Sequence, residues 1–134
     1  MQYERHVTVD LPFEQTVSKV VEALDEEGFG ILTRIDVQAV LRDKRGIVLE
    51  PYVILGACNP DLAHRALEVE RGIGVLLPCN VVVRGAGDRT TVQVFDPLLM
   101  TTVVGRDELH PIAAEADQRL HRVLSSLPLP APVA

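Results

Sequence analysis

The run from Val75 to Val83, VLLPCNVVV, constrains the fold more than any other stretch. Apart from Pro78 and Asn80, every residue in it is apolar. A strand that lacks in–out alternation has to be covered on both faces. A layer of helices would supply one cover and a partner subunit the other. Pro78 removes a ladder donor in mid-run, which implies an edge position or a bulge there.

This run closes a longer stretch, 56–81, that holds both cysteines of the chain. Each cysteine is followed by asparagine, as Cys58-Asn59 and Cys79-Asn80, and each pair has a proline beside it. Asn59-Pro60-Asp61 opens a helix, with Asn59 as its cap and Leu62, Ala63, Ala66 and Leu67 on its apolar face. His64 rides on that helix. The glycines of 72–74 then make a turn.

The flanking segments read as strands and helices in alternation. Residues 3–9 alternate as a half-buried strand. Asp10-Leu11-Pro12 starts a helix to about residue 27, with Phe13, Val17, Val20, Val21 and Leu24 as its stripe and Gly28 as its stop. A second strand spans 29–35. Asp36 caps a short helix that turns Val37, Val40 and Leu41 inward and ends at Gly46. A third strand occupies 52–57, after Pro51. Residues 85–88 form a hairpin turn, and 89–95 a strand in which Val92 and Val94 face away from Thr91, Gln93 and Phe95. The apolar segment 98–104 fits neither period. Asp107 caps a final helix to about residue 126, striped by Leu109, Ile112, Ala113, Ala116, Leu120, Val123 and Leu124.

The order β-α-β-α-β-α-β-β-α predicts an α+β two-layer sandwich: a mixed or antiparallel sheet of about five strands with helices mainly on one face. The 134 residues fit one domain, expected over 1–127, with 128–134 as a disordered proline-rich tail. Only 4% of residues are aromatic and there is no tryptophan, so the core is expected to be aliphatic. A net charge of -6 and the lack of a dense basic face argue against nucleic acid. No apolar run approaches the ~20 residues of a membrane span. The N-terminus lacks a signal-peptide layout, so a cytoplasmic setting with free cysteines is expected.

The chemistry available is sparse. The spacing of Cys58 and Cys79 matches no zinc pattern or C-x-x-C motif. The pair supports redox, nucleophilic or soft-ligand chemistry, or simple buried packing. His6, His64, His110 and His121 show no metalloenzyme spacing, and His64 draws interest because it follows Cys58 by six residues on a helix that begins at the cysteine. No nucleophile elbow, phosphate loop or dinucleotide fingerprint is present.

GFGILTRIDV at 28–37, YVILGACNPDLAHRAL at 52–67, IGVLLPCNVVV at 73–83 and the Asp96-Pro97 pair resemble the domain of unknown function 302 family. The resemblance runs over roughly 3–127. It implies a compact α+β fold and a homodimer or larger oligomer, but no established reaction. It also brings in haem as a candidate cofactor, since some similar proteins bind haem with oligomerisation helping to form the pocket. The motif residues carried here are Gly28, Phe29, Cys58, Asn59, Pro60, Leu77, Pro78, Cys79 and Asn80. The expectation is therefore a small oligomeric domain that binds a small apolar ligand or cofactor near the GACNP and LLPCN motifs. Cys58, Asn59, His64, Cys79 and Asn80 are its candidate wall, with His64 the candidate haem-iron ligand and no catalytic residue assigned. The alternatives are a structural or protein-interaction domain, and a cysteine-based redox or thiol protein.

Overall fold

The computed structural model describes residues 2–130. Five strands form one antiparallel sheet: β1 (Glu4–Val9), β2 (Gly30–Asp36), β3 (Tyr52–Cys58), β4 (Cys79–Ala86) and β5 (Arg89–Phe95). Their spatial order is β1-β5-β4-β3-β2, so β4 lies at the centre. The helices are α1 (Phe13–Glu26), α2 (Val37–Arg45), α3 (Pro60–Val69), α4 (Leu98–Val104) and α5 (His110–Ser125). The predicted α+β class and helical layer hold.

One face of the sheet is a valine-rich floor. Strand register puts Arg5, Val94, Val81 and Leu55 in one row, and Val7, Val92, Val83 and Val53 in the next. Leu55, Val81, Val83 and Val92 are fully buried there. Helices α1 and α5 cover this floor with Val17, Val20 and Leu24 and with Leu120, Val123 and Leu124, the stripes expected from the 3.6-residue period. Each such side chain stabilises the fold by about 1.5–3 kcal/mol relative to exposure. A second apolar cluster, built on Ala66, Ile73, Met100 and Leu109, lies under α3 and α4.

Several local expectations are corrected. The apolar run 75–83 is not one strand: residues Arg71–Leu76 form a 3-10 helix and β4 begins only at Cys79. Pro78 has no N–H for the ladder, so pairing starts after it. The Leu77–Pro78 peptide is cis. Val75 is 89% exposed rather than covered. Segment 98–104, unassigned from its pattern, is α4. Asp107 does not cap the last helix: it opens a one-turn 3-10 segment, and α5 starts behind Leu109 with Pro111 in its first turn.

Helix α2 starts and stops as predicted. Asp36 Oδ1 accepts from the Ala39 amide at 2.9 Å, and Gly46 closes the helix at φ 63°. Yet α2 buries none of its residues, contrary to the inward face expected for Val37, Val40 and Leu41. The strand before it carries a bulge between Ile31 and Thr33. The bulge reverses the in–out order of the rest of β2, so that Ile35 stands beside Ile54 on the other sheet face and α2 leaves from the sheet's rim. The tail is also partly tied down, because the Asp10 amide donates to Pro128 O at 2.9 Å. The rest of the expected tail, 131–134, lies outside the described residues.

Candidate functional site

Two hollows meet where β4 begins. The first lies on the helical side, between the ends of β3 and β4 and helices α3, α4 and α5. It measures about 50 Å³, and Phe29, Cys58, Asn59, Ile73, Cys79 and Met100 are among its walls. Strand register sets Ala57 opposite Cys79, so Cys58, the last residue of β3, is one step beyond that pair. Both cysteines are free thiols. Burial pushes the Cys79 thiol up to about 11, and the neighbouring Cys58 adds to the effect. No Lys or Arg lines the hollow to draw out a thiolate.

Asn59 reaches this wall but works chiefly as a fastener. Its Oδ1 accepts from the Leu62 amide at 3.2 Å, the N-cap bond expected for α3. Its Nδ2 donates to Glu27 O at 3.5 Å. The same carbonyl accepts from Arg119 of α5 at 3.0 Å, and the Glu27 carboxylate pairs with Arg122 at 2.9 Å. Bonding to Arg122 holds the Glu27 carboxyl below the usual range, and Arg65 followed by Arg119 does the same for Glu115. Gly28 adopts φ 85°, and a Cβ there would meet Asn59 Nδ2 at 2.9 Å. The end of α1, the start of α3 and the flank of α5 are thus tied at one point.

The second hollow is a groove of about 410 Å³ on the sheet face opposite the helices. Register sets its floor: Glu4 pairs with Phe95, Gln93 pairs with Val82, and Asn80 precedes Val81 on β4. Tyr3 and Tyr52 also line it, and Val75 to Pro78 form one bank. Arg84 Nε donates to Gln93 Oε1 at 2.9 Å, which fixes that amide and leaves its NH2 unclaimed by this bond.

The five residues expected in one wall are therefore divided. Cys58, Asn59 and Cys79 share the inner hollow; Asn80 lines the open groove; His64 lines neither. The His64 side chain is 73% exposed on α3, with Nε2 3.1 Å from Glu68 Oε1. Nor does the inner hollow fit a haem. A hollow of about 50 Å³ is far below the ~300–1,000 Å³ of cofactor pockets, and the candidate iron ligand points elsewhere. Among the described residues no three His, Cys, Asp or Glu side chains cluster as a metal site. Tyr3, Tyr52, Gln93 and Phe95 were not legible as site residues, because only strand pairing gathers them. Alternation did place Gln93 and Phe95 on the face away from Val92 and Val94.

Residues 5–127 match the family described as domain of unknown function DUF302. The chain belongs to the DUF302 family. Its fold is similar to the crystal structure of an uncharacterized conserved DUF302 protein from Bacillus stearothermophilus, with a TM-score of 0.87. The two are 31% identical, over 93% of this chain and 98% of that one. No curated protein matches the chain. No helix among the described residues is long and apolar enough to cross a membrane.

Proposed function

We propose that this DUF302 domain is a binding module whose ligand is a small, flat, partly apolar molecule held in the open groove beside the LLPCN motif. One observation carries the reading: in a chain so poor in aromatics, both tyrosines and one of the three phenylalanines gather at this groove. Their ring faces suit stacking, and the Asn80 and Gln93 amides supply directional donors and acceptors between them. The groove's volume lies within the usual range for ligand sites.

The test is a two-dimensional NMR titration of the labelled protein with indole, nicotinamide and adenine as probes. Shifts confined to residues of the groove, and weakened by Tyr52→Ala and Asn80→Ala, are the expected result. Shifts scattered over the surface, or none with any probe, would sink the proposal.

A second reading is an interaction domain that pairs with its own copy. The rim around β2 and α2 leaves Leu32, Ile35, Val40, Ile47 and Val48 exposed, between 41% and 96%. Ile35, Ile54 and Val82 form a continuous apolar row across the adjoining sheet face. An uncharged apolar row is self-complementary about a two-fold axis, which favours a second copy over a charged partner. Such pairing would also roof the groove.

A further inference from the structure

The inner hollow brings together every cysteine of the chain and one of its two methionines, yet the ligand groove uses neither. Cys58, Cys79 and Met100 line the same space of about 50 Å³. An organic cofactor is too large for this space. A single ion is not, since one water needs only ~10–15 Å³ on such a measure.

The donors select the ion. Two thiols and a thioether are soft ligands that favour monovalent copper and similar d10 cations over magnesium, calcium or manganese. The surroundings select the same way. The walls include Phe29, Ile73 and Leu109 and carry no carboxylate or imidazole, so a hard cation would lose its hydration with nothing to replace it. A weakly hydrated soft cation loses less and gains covalent bonds to sulfur. The three sulfurs also come from three elements, the end of β3, the start of β4 and helix α4, so their positions are set by the fold.

We propose that Cys58, Cys79 and Met100 form a site for one soft monovalent d10 cation, of which Cu(I) is the type. As the ion enters, two S–metal bonds form and two S–H bonds break, and both protons leave to solvent. No electron is transferred. The two thiolates and the cation leave one negative charge, offset by the positive end of α3, whose first residue follows Cys58 by two positions. Met100 completes the coordination without adding charge.

Anaerobic competition of the reduced full chain against bathocuproine disulfonate for Cu(I) tests the site. The expected result is one ion per chain, about two protons released in weakly buffered solution, and S-only scattering in X-ray absorption. Cys58→Ser and Cys79→Ser should each weaken binding by more than the ~10–100-fold that outer-shell partners contribute. Met100→Leu should weaken it less. Binding that survives either serine variant, two ions bound independently, or nitrogen and oxygen scatterers would overturn the proposal. The absorption measurement uses the unaltered protein, so a variant that fails to fold leaves the test intact. None of these substitutions touches the open groove, so the two proposals stand or fall separately.

Discussion

Gly56 shows how one missing side chain lets two neighbours approach the strand. It lies in β3 opposite Thr33 on one side and Asn80 on the other. A Cβ there would overlap the Thr33 hydroxyl and stand 2.9 Å from Pro78 Cγ. Gly56→Ala is therefore an overpacking change, expected to destabilise the protein by about 1–3 kcal/mol. Urea unfolding measures it. The double variant Gly56→Ala, Thr33→Ala should recover part of the loss, and equal midpoints for Gly56→Ala and the native protein would refute the packing argument. The Gly56 and Asn59 positions of the GACNP motif are explained this way by close approach and capping, without any catalytic role. Cys58 and Cys79 are left over from that explanation, which is why they carry the soft-metal proposal.

At the scale of elements, charged side chains on α5 fasten the helical layer. Arg122 pairs with Glu27 at the end of α1, Arg65 of α3 reaches Glu115 of α5 at 3.3 Å, and Arg5 of β1 reaches Asp117 at 2.9 Å. The folded-state pKa values of Glu27 and Glu115 lie below the ordinary glutamate value of 4.5. The unfolded chain thus takes up these protons at a higher pH than the folded one does. The stabilisation is complete above about pH 4.5 and is lost as the pH falls through the lower folded values. Thermal melts between pH 7 and pH 3 should show the midpoint falling below pH 4.5, and less steeply in Glu27→Gln. A variant that follows the native curve would remove Glu27 from the account. These pairs are partly exposed and screened by salt, so the effect should shrink at high ionic strength.

At the scale of the molecule, the sheet has one face under helices and one face that they leave open. The open face holds both the aromatic groove and the apolar row Ile35, Ile54 and Val82. If that row is the contact between copies, Ile54→Glu should turn a dimer into a monomer in sedimentation velocity, with the melting curve shifted but still cooperative. A native chain that sediments as a monomer at high micromolar concentration would end the second reading. Ligand binding in the groove does not depend on that outcome, because the groove's floor and bank come from one chain.

The sequence by itself determined the α+β class, the stripes of α1 and α5, the caps at Asp36 and Asn59 and the family. Each is a local matter of side-chain period or turn chemistry, visible within one or two helical turns. It misjudged the run 75–83 because apolar content alone does not distinguish a strand covered on both faces from a bank that packs on a neighbouring cluster. It misjudged α2, and it missed the bulge in β2, which reverses every later side chain and which nothing in the local pattern marks. The candidate site divided for a similar reason. Successive residues of β4 turn to opposite faces, so Cys79 lines the inner hollow and Asn80 the open groove. Only the pairing of β1, β5, β4 and β3 decided which residues meet, joining Tyr3, Tyr52, Asn80, Gln93 and Phe95 from four strands or their ends into one groove.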